Sequence, residues 1–174
     1  MTDRDLLAQQ SALLGQAFLS SDPRRLSPPE DAAEGPFAAF RDEILLAQGV
    51  PEAAELEYTR LFISPAGAPC SPWQSAYAPE PRLMGPAHHS ALEWYRRYGA
   101  EPAVENEPAD HAGLLLLFFA QLAANEADDQ ELRAFAASHL IWMTELVSRM
   151  KTEARHPLYL SLARATEHLL ASLA

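Results

Sequence analysis

A chain of 174 residues, 48% of them hydrophobic, is long enough to bury one substantial core and too short for two ordinary domains. Its 24 acidic against 13 basic residues leave a formal charge of −11, which opposes nonspecific attachment to nucleic acid or an anionic membrane and steers cationic partners towards it. The single cysteine, Cys70, excludes a disulfide within the chain and a Cys-rich metal site, and suits a reducing compartment.

The first residues, Met1-Thr2-Asp3-Arg4-Asp5, are charged and lead into Leu6-Leu7-Ala8-Gln9-Gln10, without the long apolar run or small-residue cleavage site of a signal peptide. A protein that stays in the cytoplasm is expected. Residues 3–20 place Leu6, Leu7, Leu13, Leu14, Ala17 and Phe18 at helical spacing after Thr2, a candidate N-cap. Pro23, Pro28 and Pro29 make the next segment a connection, because proline lacks the amide a helix interior needs. Proline then marks helix starts at Pro51, Pro86, Pro108 and Pro157, where its fixed φ helps and its missing N–H costs nothing. The predicted helices are 36–48, 51–63, 86–98, 108–126, 129–152 and 157–173, with Gly49 and Gly99 ending two of them in a left-handed conformation. No alternating β-branched run reads as a strand. The fold class is therefore all-α, a single-domain bundle of about seven or more helices with a long Pro-rich loop over 64–85.

The longest apolar run, Ala112 to Ala120, is less than half of the roughly 20 residues that cross a bilayer, so no integral membrane segment is predicted. Leu114 to Phe119 is apolar on every helix face, as a central core helix would be. Asp110 and His111 fall in the first turn predicted after Pro108. Unpaired amides there favour the carboxylate and disfavour an imidazolium, leaving a neutral ring that donates one hydrogen bond and accepts another. These two residues either complement the helix end and pack the loop, or recognise a ligand. Trp73, beside Pro72 on the loop, is either an anchor or an exposed binding surface. Trp94-Tyr95-Arg96-Arg97-Tyr98 reads as a solvated helix face rather than a nucleic-acid patch. His88, His89 and His111 lack metal-ligand spacing, and no nucleophile elbow or phosphate cradle is present.

Glu57-Tyr58-Thr59-Arg60-Leu61-Phe62-Ile63, followed by Pro65, Pro69, Pro72-Trp73, Ser75 and Tyr77, resembles the signature of the TorD/DmsD family of redox-enzyme maturation chaperones. Asn106-Glu107-Pro108-Ala109-Asp110-His111, then Phe135, His139, Leu140 and Trp142, then His156-Pro157-Leu158-Tyr159, are similar to later family blocks in the same order. The resemblance covers residues 55 to 170, and its wording is nearest the dimethyl-sulfoxide-reductase branch, although Ser64-Pro65-Ala66 departs from that branch's bulky aromatic. It implies an all-helical chaperone, not an enzyme, that binds the twin-arginine leader, and also the mature part, of a molybdopterin-containing oxidoreductase. By residue, the implied leader site comprises Trp73, Asp110 and His111 with Pro72, Ser75, Tyr77 and Glu107, and Tyr58, Leu61 and Phe62 shaping an adjoining groove. No cofactor is implied beyond weak guanine-nucleotide binding, and the protein is expected as a monomer or a domain-swapped dimer. Alternatives are the cousin branch that assembles membrane-bound nitrate reductase through its mature subunit, a nucleotide-binding enzyme, or a structural adaptor.

Overall fold

Thr2 carries the side chain that a helix start requires. In the computed structural model, which describes residues 2–30, 35–125 and 127–173, its hydroxyl accepts from the Asp5 amide at 3.1 Å, while the Asp5 carboxylate accepts from the Thr2 amide at 2.7 Å. This reciprocal capping box opens α1 (Asp3–Leu19). Proline occupies the first turn of α2 (Pro36–Gly49), α3 (Pro51–Tyr58), α4 (Pro86–Arg97) and α8 (Pro157–Ser172), as the spacing predicts for the last three. Gly99 ends α4 with φ +63°. Gly49 does not take the left-handed conformation: it is the last residue of α2, and the chain breaks at Val50, φ −141° and ψ 73°. Pro51 explains this, because a proline ring excludes the helical conformation from the residue before it.

Three predicted helices are redrawn. The run 51–63 continues past α3 as a wider π-type turn, Thr59–Ile63. The run 108–126 begins only at Ala112, giving α5 (Ala112–Ala124); its predicted end at residue 126 lies outside the described residues. Pro108 opens a turn closed by the His111 amide on its carbonyl at 3.0 Å, because residues 110–112 pair with the Pro-rich loop instead of coiling. The run 129–152 is two helices, α6 (Asp129–His139) and α7 (Met143–Glu153). No proline or glycine marks the break; buried Leu140 turns inward and the Trp142 indole donates to the His139 carbonyl at 2.8 Å, satisfying an acceptor that the helix end leaves free.

The result is an all-α fold, with eight α-helices and no strand among the described residues. All eight helices contribute to one core. The apolar α5 lies at its centre and crosses α1 closely at two glycines: a Cβ on Gly113 would stand 2.7 Å from the Gly15 carbonyl oxygen, and one on Gly15 2.9 Å from that of Gly113. The crossing fixes where α5 begins, and hence where His111 sits. No described helix is long and apolar enough to cross a membrane.

Candidate functional site

The Pro-rich loop and the entry to α5 are stitched together by backbone. Trp73 and His111 form an isolated antiparallel bridge, in which the Gln74 amide donates to the Asp110 carbonyl at 3.1 Å and the Ala112 amide to the Pro72 carbonyl at 2.7 Å. Such pairing consumes amides and carbonyls that a proline-rich segment has no helix to satisfy. It also places the Trp73 ring edge-on to His111 at 5.9 Å, and the indole N–H donates to Glu107 at 2.7 Å. Trp73 is thus an anchored residue that stays partly exposed.

Asp110 precedes the helix rather than lying in its first turn, and is wholly buried. Its Oδ2 accepts from the Ser75 amide at 2.8 Å, which starts the short 3-10 helix Gln74–Tyr77. Asp110 Oδ1 and the Ser75 hydroxyl, both buried, have no hydrogen-bond partner among the described residues. Buried polar atoms are rarely left so, and each calls for a partner such as an ordered water or a ligand's donor. His111 is the N-cap of α5: its Nδ1 accepts from the Gly113 amide at 3.0 Å. Burial pushes its pKa down to about 4, so the ring is neutral as expected, with burial as the cause.

Further groups hold this seam. The Ala109 amide donates to His88 Nδ1 at 2.9 Å and the Tyr95 hydroxyl to the Ala109 carbonyl at 2.8 Å, tying the entry segment to α4. Gln74 bridges to α6 through His139 Nδ1 at 2.9 Å and the Ser138 carbonyl at 2.8 Å, while His139 Nε2 meets the Ser90 hydroxyl at 3.1 Å. Burial lowers the His139 pKa to about 4 against an opposing pull from Asp110. Gln74, Ser90 and His88 are absent from the predicted site. His139 was visible only as a member of the Phe135 block, since its role needs partners 49 and 65 residues away. Tyr77 donates to the Ser71 carbonyl at 2.7 Å and packs on Trp142, with the Arg149 guanidinium over its ring.

An open groove of about 790 Å³ follows the loop, walled by Ser75, Pro79, Glu80, Arg82 and Pro86. Tyr58, Leu61 and Phe62 do not line it. They are buried with Phe18 and Tyr159, the Tyr58 hydroxyl donating to the Phe18 carbonyl at 2.8 Å, and they support the loop from beneath through the Cys70 amide on the Leu61 carbonyl at 3.0 Å. Among the described residues no group of three or more His, Cys, Asp or Glu is placed to hold a metal.

The profile of the family described as nitrate reductase delta subunit matches residues 28–171. The Tat proofreading chaperone DmsD of Salmonella typhimurium is 32% identical over 168 residues, spanning 94% of this chain and 79% of its own. The chain belongs to the TorD/DmsD family. The chaperone protein TorD of Shewanella loihica is 28% identical over 178 residues, covering 95% of this chain and 80% of that one. A solved structure described as a redox enzyme maturation protein of Archaeoglobus fulgidus shares the fold with a TM-score of 0.60 and 25% identity, over 98% of this chain and 95% of that one. Like these TorD/DmsD relatives, the protein is a chaperone of redox-enzyme maturation and not a catalyst.

Proposed function

We propose that this TorD/DmsD chaperone binds, in the cytoplasm, the twin-arginine leader of a molybdopterin-containing oxidoreductase and delays its export until the cofactor is inserted. The observation that carries this reading is the pair without a hydrogen-bond partner among the described residues: the hydroxyl of Ser75, which lines the groove on the loop that also carries the partly exposed Trp73, and the Asp110 Oδ1 buried behind it. A leader offers guanidinium forks and then an apolar stretch, which call for a carboxylate and an aromatic or aliphatic wall. A chain of net charge −11 draws such a peptide in. The chaperone acts without a resident cofactor in this reading, and titration with GTP checks the weak guanine-nucleotide binding that the family resemblance implies.

The deciding experiment is calorimetric titration with the client's leader peptide against the same peptide with both arginines replaced by alanine. Selective binding of the first supports leader recognition; equal or absent binding removes it. A second reading is favoured by the family profile, whose description is that of a nitrate reductase subunit: the chaperone grips the mature part of its client. Capture of a client that lacks its leader, at undiminished affinity, selects that alternative.

A further inference from the structure

Between Arg82 and Gly85 the chain makes a tight turn, closed by the Gly85 amide on the Arg82 carbonyl at 3.0 Å. Met84, the third residue of that turn, has φ +55°, a left-handed conformation that glycine adopts freely and a side chain resists. The glycine stands one position later, where a Cβ would meet the Arg82 carbonyl oxygen at 2.8 Å. The turn therefore holds a strained methionine where glycine would relieve the strain. Its two tip residues, Leu83 and Met84, are 60% and 55% exposed. Strain that presents two adjacent large apolar side chains to water is a feature of binding sites rather than of cores. Arg82 and Pro86, on either side of the tip, both line the groove described above.

Charge gives the groove a direction. Among the described lining residues Arg82 alone is basic and adjoins the tip of the turn, while the acidic Glu80 precedes it in the chain, on the Ser75 side, so a guanidinium is less favoured beside the turn than further along the wall. Ser75 lies on the same wall with the Asp110 carboxylate bonded to its amide, and there a guanidinium is favoured. A peptide that is cationic first and apolar afterwards fits in one polarity only.

We propose that the Leu83-Met84 turn is a clasp that grips the apolar stretch of the leader while the arginine pair lies towards Ser75 and Asp110. The inference rests on the leader-binding reading. Its test uses the full chain as wild type, Leu83→Ser and Met84→Gly. The probe is a synthetic peptide bearing an arginine pair followed by an apolar stretch of about ten residues, titrated alongside a version whose apolar stretch carries serines and one whose arginines are replaced by alanine. Each protein substitution should weaken the first peptide by about three- to tenfold, as loss of an apolar anchor does. The serine-bearing peptide should bind wild type and both variants alike, because the contact is already gone. Met84→Gly should melt no lower than wild type, so its weaker binding cannot be ascribed to a damaged fold. Variants that bind the first peptide as wild type does overturn the clasp and leave leader recognition standing. A wild type that does not distinguish the arginine pair from alanines overturns leader recognition, and the clasp with it. Lower melting temperatures in both variants alongside weaker binding would make the turn a structural element and also overturn the clasp.

Discussion

Acidification should remove stability from this protein well above the range in which its paired carboxylates titrate, because two imidazoles are buried uncharged. His111 accepts from the Gly113 amide through Nδ1, which must therefore carry no proton, and burial lowers its pKa from 6.5 to about 4. His139, between Gln74 and Ser90, is lowered to about 4 by the same cause, with Asp110 pulling the other way. In the unfolded chain both rings titrate near about 6.5. With the folded values depressed, the unfolded state takes up protons first as pH falls. The stabilising contribution is complete above the unfolded value, declines below it, and is lost by the folded value. At pH 5 the linkage relation gives a loss of about 2 kcal/mol for each ring, a large part of the roughly 5–15 kcal/mol by which a domain is stable. Urea unfolding midpoints between pH 7.5 and 5 measure this. His111→Asn, which keeps a capping acceptor, and His139→Gln, which keeps a hydrogen-bonding amide, should each flatten the decline by about half. Midpoints that hold constant from pH 7.5 to 5, or folded-state ring titrations near the unfolded value by NMR, would refute the reasoning.

Gly113→Ala gains up to about 1 kcal/mol of helix propensity but drives a methyl to 2.5 Å from Leu19 Cγ and 2.7 Å from the Gly15 carbonyl oxygen. Overpacking of about 1–3 kcal/mol should dominate, seen as a lower midpoint in urea. Glu57 accepts from Arg60 at 2.8 and 2.9 Å and from the Arg155 amide at 2.6 Å, and these bonds, Arg60 first, hold its pKa at about 2. Its contribution is present above pH 4.5 and lost as pH falls through about 2, so Glu57→Gln should lower stability at neutral pH and flatten the acid limb there. Trp73→Ala and Asp110→Asn should each weaken leader binding by about 1–3 kcal/mol in calorimetry, the amide still accepting from Ser75 while the charge is gone. Unchanged affinity in both would remove the site.

The helical class, the proline starts at Pro51, Pro86 and Pro157, the Thr2 cap and the extent of the Pro-rich loop were all legible in the amino-acid order, because each depends on signals within a turn or two of chain. The pairing of Trp73 with the Asp110-His111 entry came from recognisable family blocks, and the bridge between them joins residues 38 positions apart in sequence. Tertiary structure alone decided the rest. It pulled residues 110–112 out of the helix that Pro108 announced, since their backbone groups found partners on the loop. It broke the 129–152 run at Leu140, where core burial outweighed local propensity. It brought Gln74, Ser90 and His139 together, sank Tyr58, Leu61 and Phe62 beneath the loop, and buried Asp110 with one oxygen unmatched among the described residues. Periodicity and capping act over a few residues, whereas burial and hydrogen-bond partnership depend on segments that meet only after the chain has packed.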